Sequence, residues 1–424
     1  MERMVKLVLT SQGILTIGLL LVLALAPHLP TSLVRWDALW YRSIEAHGYF
    51  FRPGGMSSTG FFPFFPWVWD ITQLNAVGIS IFNLALAGVA VWLLRRYLRL
   101  RPEALVLYAA FPSCMFLYLP YTEALFFFFS SLVLISVAHN FRPAGTLAAA
   151  LFLGSLTRVT SFFYVPALAA VEVFGWLAQR EGRLVPRLGR LVGLGLLPAL
   201  GLLTVVLYQW WETGVWFAFN KTQQAGWDHR LRLPHLPLTS FGNGAVLLDG
   251  LALLVGVLAG GWLLYQLGRV GRGQGPAPRP EVIFAAVFVA LSALHTTLFA
   301  PLTSTGQTSL LSLHRYVFCT PFFLILLNEF IPRQALSWQT VGLCLLPVVG
   351  LAALLGMLST APFIQRPPLL GVPVPGLLCG VLLLGYVALW LRAHSRWIQV
   401  VLYGSSLLLQ FVYLYTYALG RWVG

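Results

Sequence analysis

Charge is scarce in this chain. Only 9% of its 424 residues are charged, and acidic side chains are the rarest, 13 Asp and Glu against 27 Lys and Arg. A water-soluble domain carries roughly a quarter charged residues, so this deficit excludes one large soluble fold. Cysteine is nearly as rare. Cys114, Cys319, Cys344 and Cys379 lie in or beside apolar runs and form no CxxC pair, which excludes a disulfide framework and a cysteine zinc site and leaves them as small packing residues. Internal repeats and low-complexity tracts are absent. So are the alternating ten-residue strands, roughly, of a membrane β-barrel.

What fills the chain instead is apolar: 58% of residues, with a mean hydropathy of +0.80. Runs of about 18 to 25 apolar residues recur throughout, each long enough to cross ~30 Å of hydrocarbon as a helix. The expected fold class is an all-α polytopic membrane protein, with residues 1–424 forming a single integral membrane domain. The net charge of +14 does not imply nucleic acid, because the arginines cluster between apolar runs as the positive-inside rule requires.

That rule orients the chain. Gly13 to Pro27 has no small-residue cleavage site after it, so Val5–Pro27 reads as a retained first span, its start held in the cytoplasm by Arg3 and Lys6. Residues 28–70 then form an external loop, and Ile71–Leu94 returns to the basic RRYLRLR (95–101). Glu103–Tyr118 and Leu119–Ala138 follow, meeting at an outer tip near Pro120 and ending at HNFR (139–142). Pro143–Ala178 is long for one span and short for two. A hairpin breaking near Arg158 keeps the basic QREGRLVPRLGR (179–190) inside, and such a break is tolerated where it lines a cavity. Further spans are expected at Leu191–Trp211, Val246–Leu267, Val282–Ala300, Tyr316–Phe330, Val341–Ser359, Leu377–Leu391 and Trp397–Leu419. External loops would fall at 212–245, Pro301–Ser312 and Thr360–Pro375, and the Gly/Pro-rich 269–280 reads as a cytoplasmic joint.

The first external loop gathers Arg35, Asp37, Arg42, Glu45, His47 and Arg52 among Trp36, Trp40, Tyr41 and Tyr49. A carboxylate next to lipid is costly, so it has a partner or a task. Trp36, Leu39, Trp40 and Ile44 recur at helical spacing as one apolar face, while Asp37, Tyr41 and Glu45 line up on the other. This predicts a short amphipathic helix in the interface, with the tryptophans on lipid and Asp37 and Tyr41 aimed inward. A carboxylate partly shielded from water has its charged form disfavoured, which suits it to act as a base. The plainer alternative is that Asp37 pairs with Arg35 or Arg42 and anchors the helix.

RWDALWYRSIEAHGY followed by GFFPFFPW resembles the signature loop of the PIG-V family of mannosyltransferases and their prokaryotic relatives. The matching residues are Arg35-Trp36-Asp37, Tyr41, Ile44, Gly48-Tyr49 and Phe62-Pro63-Phe64-Phe65-Pro66, joined by Tyr121-Thr122-Glu123, Thr157-Arg158 and His314-Arg315-Tyr316. Two stretches depart from the family pattern: the polar PGGMSSTG (53–60) and TRVTS (157–161). The resemblance implies a GT-C-type bundle of eleven to thirteen helices in a prokaryotic plasma membrane, with an external active site. It implies a polyprenyl-phosphate sugar, mannose by family, as donor substrate, a lipid or glycan acceptor, and no further cofactor. It carries the catalytic base over to Asp37.

Around that base, Arg315, Arg158 and Lys221 are the candidate ligands of the donor phosphate, and Arg35, Trp36, Tyr41, Glu45, Tyr49, Glu123, His314 and Tyr316 the candidate substrate contacts. Each has an alternative. Arg315 fits a snorkelling interface arginine, and Arg158 a structural partner of Glu123 or Glu172. Glu123 fits a partner of either arginine or a helix N-terminal acid, and Lys221 with GWDHR (226–230), candidate acceptor or phosphate contacts, fits a solvated loop. Asp228, His229 and His235 match no standard metal spacing, so no metal site is expected. From another class, a transporter or lipid flippase would use Arg158 and Glu123 as pathway residues, but the two related halves common in transporters are missing. Within enzymes, a GT-C transferase for a different sugar is the alternative.

Overall fold

In the computed structural model the described residues are 2–25, 33–179, 184–236, 238–240, 245–331, 337, 339 and 396–423. The apolar runs form helices because a backbone in lipid must satisfy its own hydrogen bonds. In chain order they are α1 (Glu2–Leu25), α2 (Asp37–His47), α3 (Phe64–Thr72), α4 (Ala76–Leu98), α5 (Pro102–Ala109), α6 (Glu123–Ala138), α7 (Ala144–Ser155) and α8 (Tyr164–Gln179). Then come α9 (Leu184–Thr213), α10 (Ala218–Gly226), α11 (Ala245–Gly271), α12 (Pro280–Leu298), α13 (Leu313–Phe318), α14 (Pro321–Phe330) and α15 (Arg396–Ala418). Among the described residues six stretches are long and apolar enough to span a bilayer: α4, Val159–Gln179 through α8, α9, α11, α12 and α15. The chain is an all-α polytopic membrane protein. Among the described residues no strand forms; of two isolated bridges, Thr239 to Ser309 joins the loops before α11 and α13, and Leu302 to Thr308 lies within the latter.

Two expected spans differ in detail. Glu103–Tyr118 is an eight-residue helix, α5, followed by a 3-10 turn at Pro112–Leu117. Pro112 lacks an N–H and holds Phe111 in an extended conformation, φ −61° and ψ 134°, which ends the helix. Tyr316–Phe330 begins earlier, at Leu313, and breaks at Thr320, whose side chain accepts from the Phe323 N–H and caps α14. The break expected near Arg158 is present: α7 stops at Ser155, Arg158 is extended, and α8 starts at Tyr164. The expected spans Val341–Ser359 and Leu377–Leu391, the loop Thr360–Pro375, Cys344 and Cys379 lie outside the described residues. Cys114 and Cys319 are buried free thiols, as the sequence implied.

The core is aromatic. Phe288 stacks on Phe322 at 4.1 Å, and the Phe126 and Tyr164 rings are parallel within 2°. Helices approach closely where small residues meet. A methyl group added at Gly256 on α11 would overlap Ala293 Cβ and lie 3.3 Å from the Val289 carbonyl oxygen of α12, the small-residue packing that drives helix association in lipid. Gly261, one turn on, faces open space. Gly256→Ala is therefore expected to destabilise the α11–α12 pair by about 1–3 kcal/mol through overpacking. Thermal unfolding in detergent checks this: Gly256→Ala lowers the midpoint, and Gly261→Ala does not.

Candidate active site

The N-terminus of α2 is forced into place. Trp36 precedes it at φ 51°, a conformation unfavourable for a bulky residue. Its neighbours hold it there. The Arg35 carbonyl accepts hydrogen bonds from the hydroxyls of Tyr121 at 3.2 Å and Tyr417 at 3.1 Å, and the Trp36 ring meets Trp422 edge-on at 5.0 Å. At the other end of α2, Gly48 has φ 71° and ψ −163°, a region only glycine enters readily, and a Cβ there would lie 2.6 Å from Glu212 Oε2. The Gly48-Tyr49 pair is thus a backbone requirement.

The inward face of α2 carries Asp37 and Tyr41, as expected, and the departures are at Trp40 and Ile44. Ala38, Tyr41 and Ile44 are buried, while Trp36 and Leu39 are exposed. Trp40 does not rest on lipid: it stacks on Phe61 at 5.8 Å and contacts Phe50 and Trp227. The reason is that the rest of the first loop folds back over the helix. Gln209 of α9 donates to the Thr59 and Phe61 carbonyls at 3.0 and 3.1 Å, Gln223 of α10 donates to the Gly60 carbonyl at 3.0 Å, and the hydroxyls of Thr59 and Thr222 meet at 2.7 Å. Gly60 must be small, because a Cβ would lie 2.5 Å from the Trp227 ring. The polar 53–60 stretch is therefore a cover for α2.

Behind α2 the charges alternate. Arg315 Nη2 donates to Asp37 Oδ2 at 2.9 Å and to Glu123 Oε1 at 2.7 Å, its Nε donates to the same Glu123 oxygen at 2.9 Å, and Arg158 Nη1 lies 3.0 Å from that oxygen. Asp37, Arg315, Glu123 and Arg158 form a ladder whose side chains are 24%, 4%, 0% and 11% exposed. Two guanidiniums balance two carboxylates. Burying four charges is tolerable only when they are paired and hydrogen-bonded. Ring faces complete the setting: the Arg315 guanidinium lies 4.7 Å from the Phe116 and Tyr121 ring centres, and that of Arg158 lies 4.8 Å from Tyr316. Asp37 pairs with Arg315, and Arg42 pairs with Glu45 instead. Of the two carboxylates considered for Arg158, Glu123 is the partner; Glu172 pairs with Arg187 and Arg190.

The ladder opens on a cavity of about 370 Å³. Five expected site residues line it: Asp37, Tyr41, Arg158, Arg315 and Tyr316. The helix break at 157–160 forms part of its wall. Tyr41 is buried, which pushes its hydroxyl well above the ordinary pKa, and it lies 3.5 Å from the Thr122 hydroxyl. Glu123 stands behind the arginines. The remaining expected contacts are elsewhere. Glu45 pairs with Arg42 at 2.8 Å, the Tyr49 hydroxyl donates to the Phe61 carbonyl at 2.8 Å, and Lys221 is exposed and outside the cavity lining. His314 is buried against Ser113, its backbone N–H donating to Asp249 Oδ1 at 2.8 Å, which fixes α13 and hence Arg315. Arg35 and Trp36 contribute the strained turn.

Sequence reasoning missed Asn220, Gln223, His295, Thr296 and Trp422, which also line the cavity, as do Trp227 and His229 of the GWDHR run (226–230). A polar His-Thr-Thr end on the apolar α12 was the signal for 295–297. Asp228 does not join His229 at a metal: Arg232 holds both its carboxylate oxygens, at 2.8 and 2.9 Å, and keeps it below the usual carboxylate range. Among the described residues no cluster of three metal-ligating side chains occurs. No protein-family model, curated protein or solved structure matches the chain.

His229 generates a pH prediction. Burial, with smaller contributions from His295 and Arg232 against Asp228, pushes it down from 6.5 to about 4. The folded protein therefore holds it neutral where the unfolded chain would protonate it. Stability from this group is complete above pH 6.5 and is lost as the pH falls toward 4, by about 3 kcal/mol at most. His229→Gln is expected to flatten that limb. Asp228 still titrates below its ordinary 3.8 in both proteins. Thermal unfolding across pH 4 to 7 measures the difference.

Proposed function

We propose that this protein is a membrane glycosyltransferase of GT-C type that moves a sugar, mannose in the first instance, from a polyprenyl-phosphate donor to a hydroxyl of a lipid or glycan acceptor. The observation that carries the reading is the ladder at the cavity wall, which sets a carboxylate beside arginines in a mostly buried setting. The resemblance of the 35–66 stretch to the PIG-V loop supports the donor class. Helix direction supports the external side. α12 begins beside Arg279 and reaches the cavity at His295, so the basic residue stands at the opposite end of that helix from the cavity.

The chemistry asks little of the protein. The bond from the anomeric carbon to the phosphate oxygen breaks, and the electron pair leaves on the phosphate. The acceptor oxygen forms the new bond from the opposite face and passes its proton to Asp37, so the anomeric configuration inverts. Arg315 holds Oδ2 of Asp37 and orients the carboxylate for that transfer. Arg158, which lines the cavity, meets the phosphate and stabilises its growing charge. Lys221, exposed and away from the cavity, has no part in this scheme.

The test uses purified protein, polyprenyl-phosphate mannose labelled in the sugar, and a total lipid extract. Asp37→Asn is expected to lower transfer about 100-fold or more while the donor still binds. Arg158→Gln is expected to weaken donor binding. Equal transfer by wild type and Asp37→Asn would remove Asp37 as the base, and label that crosses the membrane without forming a new glycolipid would favour a transporter.

A further inference from the structure

Beyond the ladder, the cavity wall built by α10, the 227–229 turn and the end of α12 carries no charged side chain. Its polar groups are Asn220, Gln223, Gln224, His229, His295 and Thr296. Aromatic surface adjoins them at Trp227, whose ring meets Phe61 at 5.6 Å and Trp40 at 5.7 Å. A phosphate would call for cations here, and a lipid tail for an unbroken apolar surface. Uncharged amides, an imidazole and a hydroxyl beside an indole suit a ligand that is itself a ring of hydroxyl groups with apolar faces.

The hydrogen bonds fix what this wall offers. Gln223 Nε2 donates to the Gly60 carbonyl at 3.0 Å, so its Oε1 is the acceptor that meets His229 Nδ1 at 2.6 Å. His229 must then carry its proton on Nδ1. Being neutral, it presents Nε2 as a bare acceptor, suited to one hydroxyl proton. The His229 backbone N–H also donates to the Gln223 carbonyl at 2.9 Å, which locks the turn. Asn220 and Gln224 are exposed at the cavity, where each amide can both donate and accept.

We propose that this wall is the sugar subsite: His229 Nε2 accepts from one hydroxyl of the transferred sugar, Asn220 and Gln224 bond its neighbours, and Trp227 offers an apolar surface to the ring. The inference rests on the transferase reading and adds to it the part of the donor that this wall recognises. The charged ladder holds the phosphate end. The uncharged wall tells a sugar-bearing lipid from a bare one.

Two probes separate the two claims: polyprenyl-phosphate mannose, and polyprenyl phosphate without the sugar. Each is titrated against wild type, His229→Phe and the double variant Asn220→Ala/Gln224→Ala, in nanodiscs. Wild type is expected to bind the sugar-bearing lipid at least tenfold more tightly. Each variant is expected to lose about three- to tenfold of affinity for that lipid per lost hydrogen bond, and to bind the bare lipid as wild type does. Unchanged bare-lipid binding also reports a folded site, and the exposed Asn220 and Gln224 make the double variant a fair test should His229→Phe not fold. No preference in wild type, or a variant that keeps the full preference or loses both lipids equally, would overturn the subsite and leave the transferase reading standing. Failure of wild type to bind either lipid would overturn both.

Discussion

A single guanidinium ties this structure together. Arg315 is 4% exposed and bonds two carboxylates that are 278 and 192 residues away in sequence, Asp37 and Glu123. An unpaired charge at that depth would cost several kcal/mol, so α13, the start of α6 and the start of α2 are obliged to converge. Other features serve that convergence. Asp249 of α11 accepts the backbone N–H of His314 and a bond from Ser240, which sets α13. Asn83 of α4 donates to the Leu119 and Tyr121 carbonyls at 2.6 and 3.1 Å, which sets the tip before Glu123. The hydroxyls of Tyr121 and Tyr417 hold the strained turn before Asp37.

The break between α7 and α8 follows from the same constraint. A continuous helix through 157–160 would leave the Arg158 side chain facing hydrocarbon or a packed neighbour. Interrupted there, the chain brings Arg158 to Glu123 and places its backbone at the cavity wall. The Thr157 hydroxyl donates to the Gly154 carbonyl at 2.5 Å and the Ser161 hydroxyl to that of Arg158 at 2.8 Å, so carbonyls freed by the break find partners within the protein.

Most of the bundle was legible in the sequence because hydropathy is a local property: α4, α11, α12 and α15 fall within a few residues of the apolar runs that announced them, while α9 starts two turns early, at Leu184 within the basic 179–190 segment. Where prolines act, as at Pro112 and Pro321, run length alone overestimated the helix. Asp37, Arg158, Glu123 and Arg315 could be singled out because charge is so rare here. Their pairing was legible only in part: Glu123 was one of two partners open to Arg158, while the link from Arg315 to Asp37 depends on contacts between segments far apart in sequence. The surroundings of Trp40 were missed for a related reason. Helical spacing gave the two faces of α2 and their directions, but the 53–61 cover and Trp227 that enclose Trp40 are revealed by no periodicity within α2. Asn220, Gln224 and His295 were unreadable because uncharged polar residues are ordinary in loops and at helix ends, and only the cavity gathers them.

The two ends of the cavity thus differ in kind, one an ion ladder and the other an uncharged wall, and the proposed reaction needs both on a single ligand. Determining the structure with polyprenyl-phosphate mannose bound tests that arrangement most directly. The account predicts the phosphate within hydrogen-bond reach of Arg158, about 2.7–3.2 Å, the anomeric carbon turned toward Asp37, and the sugar against His229 and Asn220. A sugar lipid lodged elsewhere among the helices, with this cavity empty, would contradict it.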